Sequence, residues 1–353
     1  MSRRTLAAKL TTVTAALAAL AALSGCADQV SSNASDSGGS GGEGPKVKIM
    51  VGGIDKVIYL PAMLSQRLGY FKDEGVNVEL LSEPAGIDAT TSLVAGNVQG
   101  VVGFYDHTLD LQTKGKQVES VVQLAQTPGE VEIVSNKAAD SLKSPKDFAG
   151  KKLGVTGLGS STDFLTKYLG VHGGVSTDKF SNVAVGAGQT FISALQKGSV
   201  DGGMTTDPTV AQILDKKIGK VLVDMRTPEG SKQALGGLYP SSSLYMNTDW
   251  VDGHKDTVQK LTNAFVRTLK WMSTHSAKEI AAKMPSDYAQ GGEGLYAKAI
   301  ESTLPMFTKD GKMPADGPAT VQRVLKSFNP NLKNATIDLE KTYTSEFTQK
   351  ATG

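Results

Sequence analysis

From Lys46 onward, short runs of β-branched and aliphatic residues alternate with longer amphipathic segments, and this alternation makes the chain an α/β protein with largely parallel sheets. Strands are expected over 46–51, 77–81 and 101–105, with helices over 59–68 and 87–95 between them. A similar unit is then drawn again, with strands over 152–156, 182–185, 202–205 and 221–224 and helices over 161–169 and 190–196. Ser144-Pro145-Lys146-Asp147 reads as a capped helix start, with Pro at the first helical position and an acid three residues after the cap. Beyond Asn247 the pattern is mostly helical. Val258, Leu261, Phe265, Leu269 and Met272 recur three or four apart and mark a core-facing stripe.

The amino terminus is of a different kind. Arg3, Arg4 and Lys9 precede an acid-free apolar run over 10–23, the charge order of a secretory signal, and fourteen residues are too few to span a bilayer. The run ends in Leu23-Ser24-Gly25-Cys26, which resembles the bacterial lipobox, whose cysteine becomes the first residue and carries diacylglycerol. Two acyl chains make a stable anchor. Cys26 is the only cysteine, so internal disulfides, zinc–thiolate centres and Cys-X-X-Cys chemistry are excluded. Residues 27–45 are Ser-, Gly-, Asn- and Asp-rich and read as a flexible tether. The 308 residues that follow exceed what one hydrophobic core usually organises, so two lobes are expected. Residues 1–26 hold three bases and no acid, which turns a net charge of +2 into −1 for the remainder, a balance that gives no reason to expect nucleic acid as a partner.

Five segments, in order, carry a family resemblance. Leu68-Gly69-Tyr70-Phe71-Lys72-Asp73-Glu74-Gly75-Val76-Asn77-Val78-Glu79 resembles a "G-x-F-x-x-E-G-L-x-V" segment, and Pro84-Ala85-Gly86 follows it. Leu93-Val94-Ala95-Gly96-Asn97-Val98-Gln99-Gly100 and Ala194-Leu195-Gln196-Lys197-Gly198-Ser199-Val200-Asp201 are similar to two copies of an "A-L-x-x-G-x-V-D" turn. The stretch over 144–150, with Gly159-Ser160-Ser161-Thr162, resembles "S-x-x-D-L-x-G-K…G-S-S". Together they resemble the nitrate, sulfonate, taurine and thiamine-pyrimidine substrate-binding proteins of ABC transporters. The resemblance implies a two-lobed, periplasmic-binding-protein-like (type II) fold, each lobe a mostly parallel sheet flanked by helices. Residues 46–130 with 238–353 would form one lobe and 131–237 the other, behind a signal peptide (1–26) and tether (27–45). It further implies a monomer on the outer face of the plasma membrane or in the periplasm, held by its lipid anchor. That monomer would capture a small organic or inorganic solute between the lobes and hand it to a permease and ATPase, with no cofactor and no catalysis.

Ligands of open α/β sheets settle outside the carboxyl ends of the strands. In this sequence those places hold Asp55, Lys56, Gly86, Tyr105, Asp106, His107, Gly159, Ser160, Ser161, Thr162, Thr206 and Asp207, and the resemblance implies that matching positions line the cleft. Residues 159–162 bring backbone N–H groups and hydroxyls to a helix start, an arrangement that receives anions or carbonyl oxygens or else serves as an ordinary cap. Asp163 would satisfy the same dipole and weaken the preference for a charged anion. Asp55, Asp106 and Asp207 stand against one fixed cation, Lys56, so a heterocycle or amine with N–H or O–H donors fits at least as well as nitrate or a sulfonate. Tyr59, Tyr105 and His107 are candidates to stack on or hydrogen-bond a planar ligand, whereas His172, His254 and His275 are assigned no role. The related fungal pyrimidine synthases use a cysteine-rich motif that this chain lacks, and no metal-ligand spacing, Walker A, Rossmann or G-x-S-x-G signature is present. An anchored enzyme of that fold family and a surface receptor or scaffold remain the alternative readings.

Overall fold

The structure, a computed structural model, describes residues 44–352, so the expected signal, the Cys26 anchor and the tether up to residue 43 lie outside the described residues. Ten strands are present among the described residues. In chain order they are β1 Lys46–Val51, β2 Asn77–Ser82, β3 Gly100–Phe104, β4 Val118–Gln123, β5 Glu130–Ser135, β6 Lys152–Val155, β7 Ser181–Ala184, β8 Gly202–Thr206, β9 Gly219–Asp224 and β10 Ser242–Asn247. They form two five-stranded sheets, one per lobe, ordered β2-β1-β3-β10-β4 and β7-β6-β8-β5-β9.

Both sheets are mixed. β1 pairs in parallel with β2 and β3, while β10 pairs antiparallel with β3 and β4. In the second sheet β6 pairs in parallel with β7 and β8, while β5 runs antiparallel between β8 and β9. Each sheet thus has four strands pointing one way, as expected of mostly parallel sheets, and a single reversed strand. The reversed strand is in each case the one that arrives from the other sheet. A segment crossing between lobes enters at the edge where the other strands end, so it must run against them.

Helices α1 Leu60–Arg67, α2 Gly86–Val94, α3 Asp106–Thr113, α4 Ser161–His172, α5 Gln189–Lys197, α6 Thr209–Asp215 and α7 Pro228–Leu235 connect the strands. α2 covers one face of the first sheet, where Ala89 and Leu93 meet Met50, Val98 and Val101. Period two then sorts β5: Val131 and Ile133 join Phe191, Ile192 and Leu195 of α5 on one face, which leaves Glu130 and Glu132 on the other. The motif at Ser144 makes its cap, with Asp147 accepting from the Ser144 N–H at 3.0 Å, but only a single 3-10 turn forms over Pro145–Asp147. Gly150, at φ +73°, turns the chain into β6 before a second turn can form.

The carboxyl-terminal region is helical as expected. Along α8 Lys255–Met272, all five stripe residues are buried in the main core. Two later helices, α9 Glu293–Thr303 and α10 Gly317–Phe328, reach the second lobe, packing on α6 and α4 respectively. Arg323 donates to the Leu235 carbonyl at 2.7 Å. Among the described residues no helix is long and apolar enough to cross a membrane.

Close backbone approach at the centre of the second sheet demands glycine. A Cβ on Gly203 would lie 2.2 Å from the Gly154 oxygen, and one on Gly202 2.3 Å from the Ile133 oxygen. Gly203→Ala is therefore expected to destabilise the protein by about 2–3 kcal/mol through overpacking, read as a lower urea midpoint.

Candidate functional site

Where the strand ends of the two sheets face each other, a small cavity remains between the lobes. Lys56, Ile58, Tyr59, Gly86 and Phe104 border it from the first sheet, and Glu130, Thr156, Ser160, Ser161, Thr162 and Thr206 from the second. These residues lie after β1, after β2, at the end of β3, at the start of the reversed β5, after β6 and at the end of β8. The cavity is about 10 Å³, room for roughly one water.

Hydrogen bonds tie the two lobes across it. Ser161 Oγ, at the start of α4, donates to Asp106 Oδ1 at 2.9 Å, and the Ile87 N–H donates to Ser160 Oγ at 3.2 Å. Tyr239 Oη donates to the other Asp106 oxygen at 2.8 Å. The Val57 N–H donates to the Asp207 backbone carbonyl at 2.9 Å. Gly86 lets its loop pack against His107 of the same lobe, since a Cβ there would come within 3.0 Å of His107 Nε2.

The expected anion receiver at the start of α4 is occupied in part by the protein's own groups. Gly159, at φ +86°, donates its N–H to Asp163 Oδ2 at 2.9 Å, and Asp163 also accepts from Lys167 and Asn182. Thr162 Oγ1 accepts from the Thr156 N–H at 3.0 Å. The one cation bordering the cavity is likewise committed: Lys56 Nζ donates to the Gly52 and Pro84 carbonyls at 2.7 and 2.9 Å. Burial pulls this ammonium down to about 8, against the attraction of Asp55, Glu130 and Asp88.

Not every predicted residue meets the cavity. Tyr105 turns its hydroxyl to Thr342 and packs edge-on against Tyr343. Asp55 stays half-buried beside Lys56. The Asp207 carboxylate pairs with Arg226 at 3.0 Å, accepts from Thr303, and caps α6 through the Ala211 N–H. Asp106 and His107 stand just behind the wall, the first bonded to Ser161 and the second against Gly86.

Two acids were missed by sequence reasoning. Glu130 and Glu132 lie on the inner face of β5 and are almost fully buried. Glu132 accepts from Thr166 Oγ1 at 3.1 Å, while its other oxygen and Glu130 Oε2 have no partner. Burial pushes Glu132 up to about 8 and Glu130 well above the usual carboxylate range, with Asp106 and Glu132 adding to the effect on Glu130 and Lys56 opposing it. Asp106 is also raised by burial, which outweighs His107, Tyr239 and Ser161. The signal was in the sequence as Glu130-Val131-Glu132-Ile133, acids at period two beside β-branched residues, a pattern that on its own also describes a half-solvated edge strand.

Chemically, the arrangement is a narrow cleft with buried acids at and behind its wall, flanked by Tyr59 and Phe104, whose rings meet edge-on at 6.4 Å. Among the described residues no three His, Cys, Asp or Glu side chains converge into a group that could hold a metal ion.

Comparison with known proteins gives this geometry a context. A family model described as NMT1/THI5 like matches residues 58–278. A solved protein of Bordetella bronchiseptica RB50 superimposes with a TM-score of 0.83 at 35% identity, covering 87% of this chain and 97% of that one. The ligand-binding component of an ABC-type import system from Staphylococcus aureus superimposes at 0.68 with 14% identity, over 87% and 99% of the two chains. The alkanesulfonate-binding protein SsuA of Xanthomonas axonopodis pv. citri does so at 0.68 with 17% identity, over 86% and 99%. In sequence, 4-amino-5-hydroxymethyl-2-methylpyrimidine phosphate synthase of Aspergillus parasiticus is 26% identical over 304 residues, 82% of this chain and 83% of the synthase.

The buried acids predict an inverted pH dependence. Glu132 titrates near 4.5 when exposed and about 8 in the fold, so the folded state holds the extra proton between those values and stability falls as pH rises through that window. Lys56 has the opposite sign, its contribution recovering above about 8. Glu132→Gln is expected to flatten the fall, measured as urea-unfolding free energy on either side of the window.

Proposed function

This chain belongs to the NMT1/THI5-like family, and from that premise we propose that it is the lipid-anchored solute-binding component of an ABC importer, closing two lobes around a small organic molecule. The observation that carries this reading is the convergence of polar and aromatic side chains from both lobes on one cavity at the strand ends. A ligand that touches Tyr59 and Gly86 on one side and Glu130 and Ser161 on the other favours the closed form by its differential affinity for it. The permease and ATPase would be separate partners on the membrane face that Cys26 anchors to, and the chain acts as a monomer outside the cytoplasm.

The acid balance narrows the solute. Nitrate or a sulfonate would enter beside Glu130, with Asp106 and Glu132 behind the wall, and find Lys56 already bonded to carbonyls. A heterocycle or amine that brings N–H or O–H donors meets acceptors instead.

The likeness to the pyrimidine phosphate synthases favours a second reading, an anchored enzyme. Turnover of a pyrimidine or its precursors by the purified chain would support it; tight reversible binding without product supports the binding protein.

Thermal-shift screening of the full chain in mild detergent is the direct test, since a solute bound only by the folded state raises the melting temperature by mass action. Aminopyrimidines and amines are expected to shift the midpoint, and nitrate and alkanesulfonates are not. A shift with anions alone would overturn the ligand class. Asp106→Asn is expected to weaken the bound solute about 10- to 100-fold, the effect of losing one charge-assisted link between the lobes, read by titration calorimetry. Cys26→Ala is expected to move the protein from the membrane to the soluble fraction and to abolish fatty-acid labelling.

A further inference from the structure

Glu130 differs from every other acid at the cleft. It is 2% exposed, borders the cavity itself, and its Oε2 has no hydrogen-bond partner. Asp106 has both oxygens occupied, by Ser161 and Tyr239, and Glu132 lies one pleat further along β5, bonded to Thr166. The cation that borders the same cavity, Lys56, places two of its three donors on the Gly52 and Pro84 carbonyls. From the neighbouring strands, Arg226 is engaged by Asp207 and Asp224. Tyr59 and Tyr239 face the same space with neutral hydroxyls, and His107 Nε2, close to Gly86, is also without a partner. A carboxylate so deeply buried, with an idle oxygen beside a cavity that has room for only about one water, is costly to keep charged and is favoured by holding a proton or meeting a cation.

We propose that Glu130 selects the solute by proton exchange: the closed cleft holds it as a neutral carboxylic acid, and a small planar cation entering beside it sends that proton to solvent and pairs with the carboxylate. The proposal rests on the binding-protein reading above and specifies its ligand class. The exchange leaves the net charge of the cleft unchanged, so the ligand need not repay the burial of a new charge. A planar ligand is favoured because Tyr59 and Phe104 share the cavity wall with Glu130 and offer an aromatic face to stack on. Raised protonation of Glu130 by burial accords with this role.

Linkage supplies the signature. A cation that displaces one proton binds more tightly as pH rises, by about tenfold per unit while Glu130 is protonated in the free protein. An anion that relies on the Glu130 proton as a donor shows the opposite slope. Benzamidinium, benzamide and benzoate are matched in shape and differ in charge, which makes them suitable probes. Isothermal titration of the full chain between about pH 6 and 8, in buffers of different ionisation enthalpy, is expected to show benzamidinium binding most tightly, tightening with pH and releasing about one proton. Glu130→Gln should abolish the pH slope and bring benzamidinium to the level of benzamide, with an unchanged circular dichroism spectrum establishing that it folds. The proposal is overturned by benzamidinium binding that is independent of pH, by a slope that survives in Glu130→Gln, by benzoate binding most tightly, or by none of the three binding. In that last case a thermal shift with any other solute keeps the binding-protein reading, and only the absence of both defeats it.

Discussion

The two reversed strands, β5 and β10, organise everything else. Each carries the chain from one lobe into the other, and each must enter at the edge where the parallel strands end. That requirement turns the carboxyl ends of both sheets toward each other. Loops that would each be a shallow, one-sided site in a single sheet become the two walls of one cleft. The start of β5 is itself part of that wall, which is why an acid on this strand borders the cavity while its neighbour Val131 lies in the core behind α5.

Electrostatics in the cleft follow from who is already paired. Asp163 fills the nest at the start of α4, carbonyls hold Lys56, and Arg226 is shared between Asp207 and Asp224. What remains unpaired near the cavity includes an oxygen each of Glu130 and Glu132, the Thr206 hydroxyl and His107 Nε2. At the start of α4 the carboxylate four residues on reaches back to the Gly159 N–H and takes part of the dipole that an anion would use.

Closure also involves the carboxyl-terminal helices. α9 and α10 belong in sequence to the region after the second crossing, yet Thr303 bonds Asp207 and Arg323 bonds the Leu235 carbonyl, both in the segment that carries the second sheet. Opening the cleft therefore requires these contacts to slide or release along with the Asp106–Ser161 link.

By itself the sequence determined the α/β class, the doubling of the unit, the core stripe of α8 and the loops from which the site is built, because hydrophobic period and glycine placement are local properties that burial enforces. Lys56, Tyr59, Gly86, Ser160, Ser161, Thr162 and Thr206 were legible for the same reason: each follows or ends a strand. Tertiary structure alone decided the rest. The crossing segments become reversed strands because of where they enter, which no local pattern encodes. Tyr105 and Asp207 sit at the right strand ends but point to Thr342 and Arg226, partners 237 and 19 residues away. Glu130 and Glu132 read as an edge pattern until β8 and β9 flank them and α4 covers them. Burial and pairing are sums over distant residues, so the charge of the cleft exists only once the lobes have met.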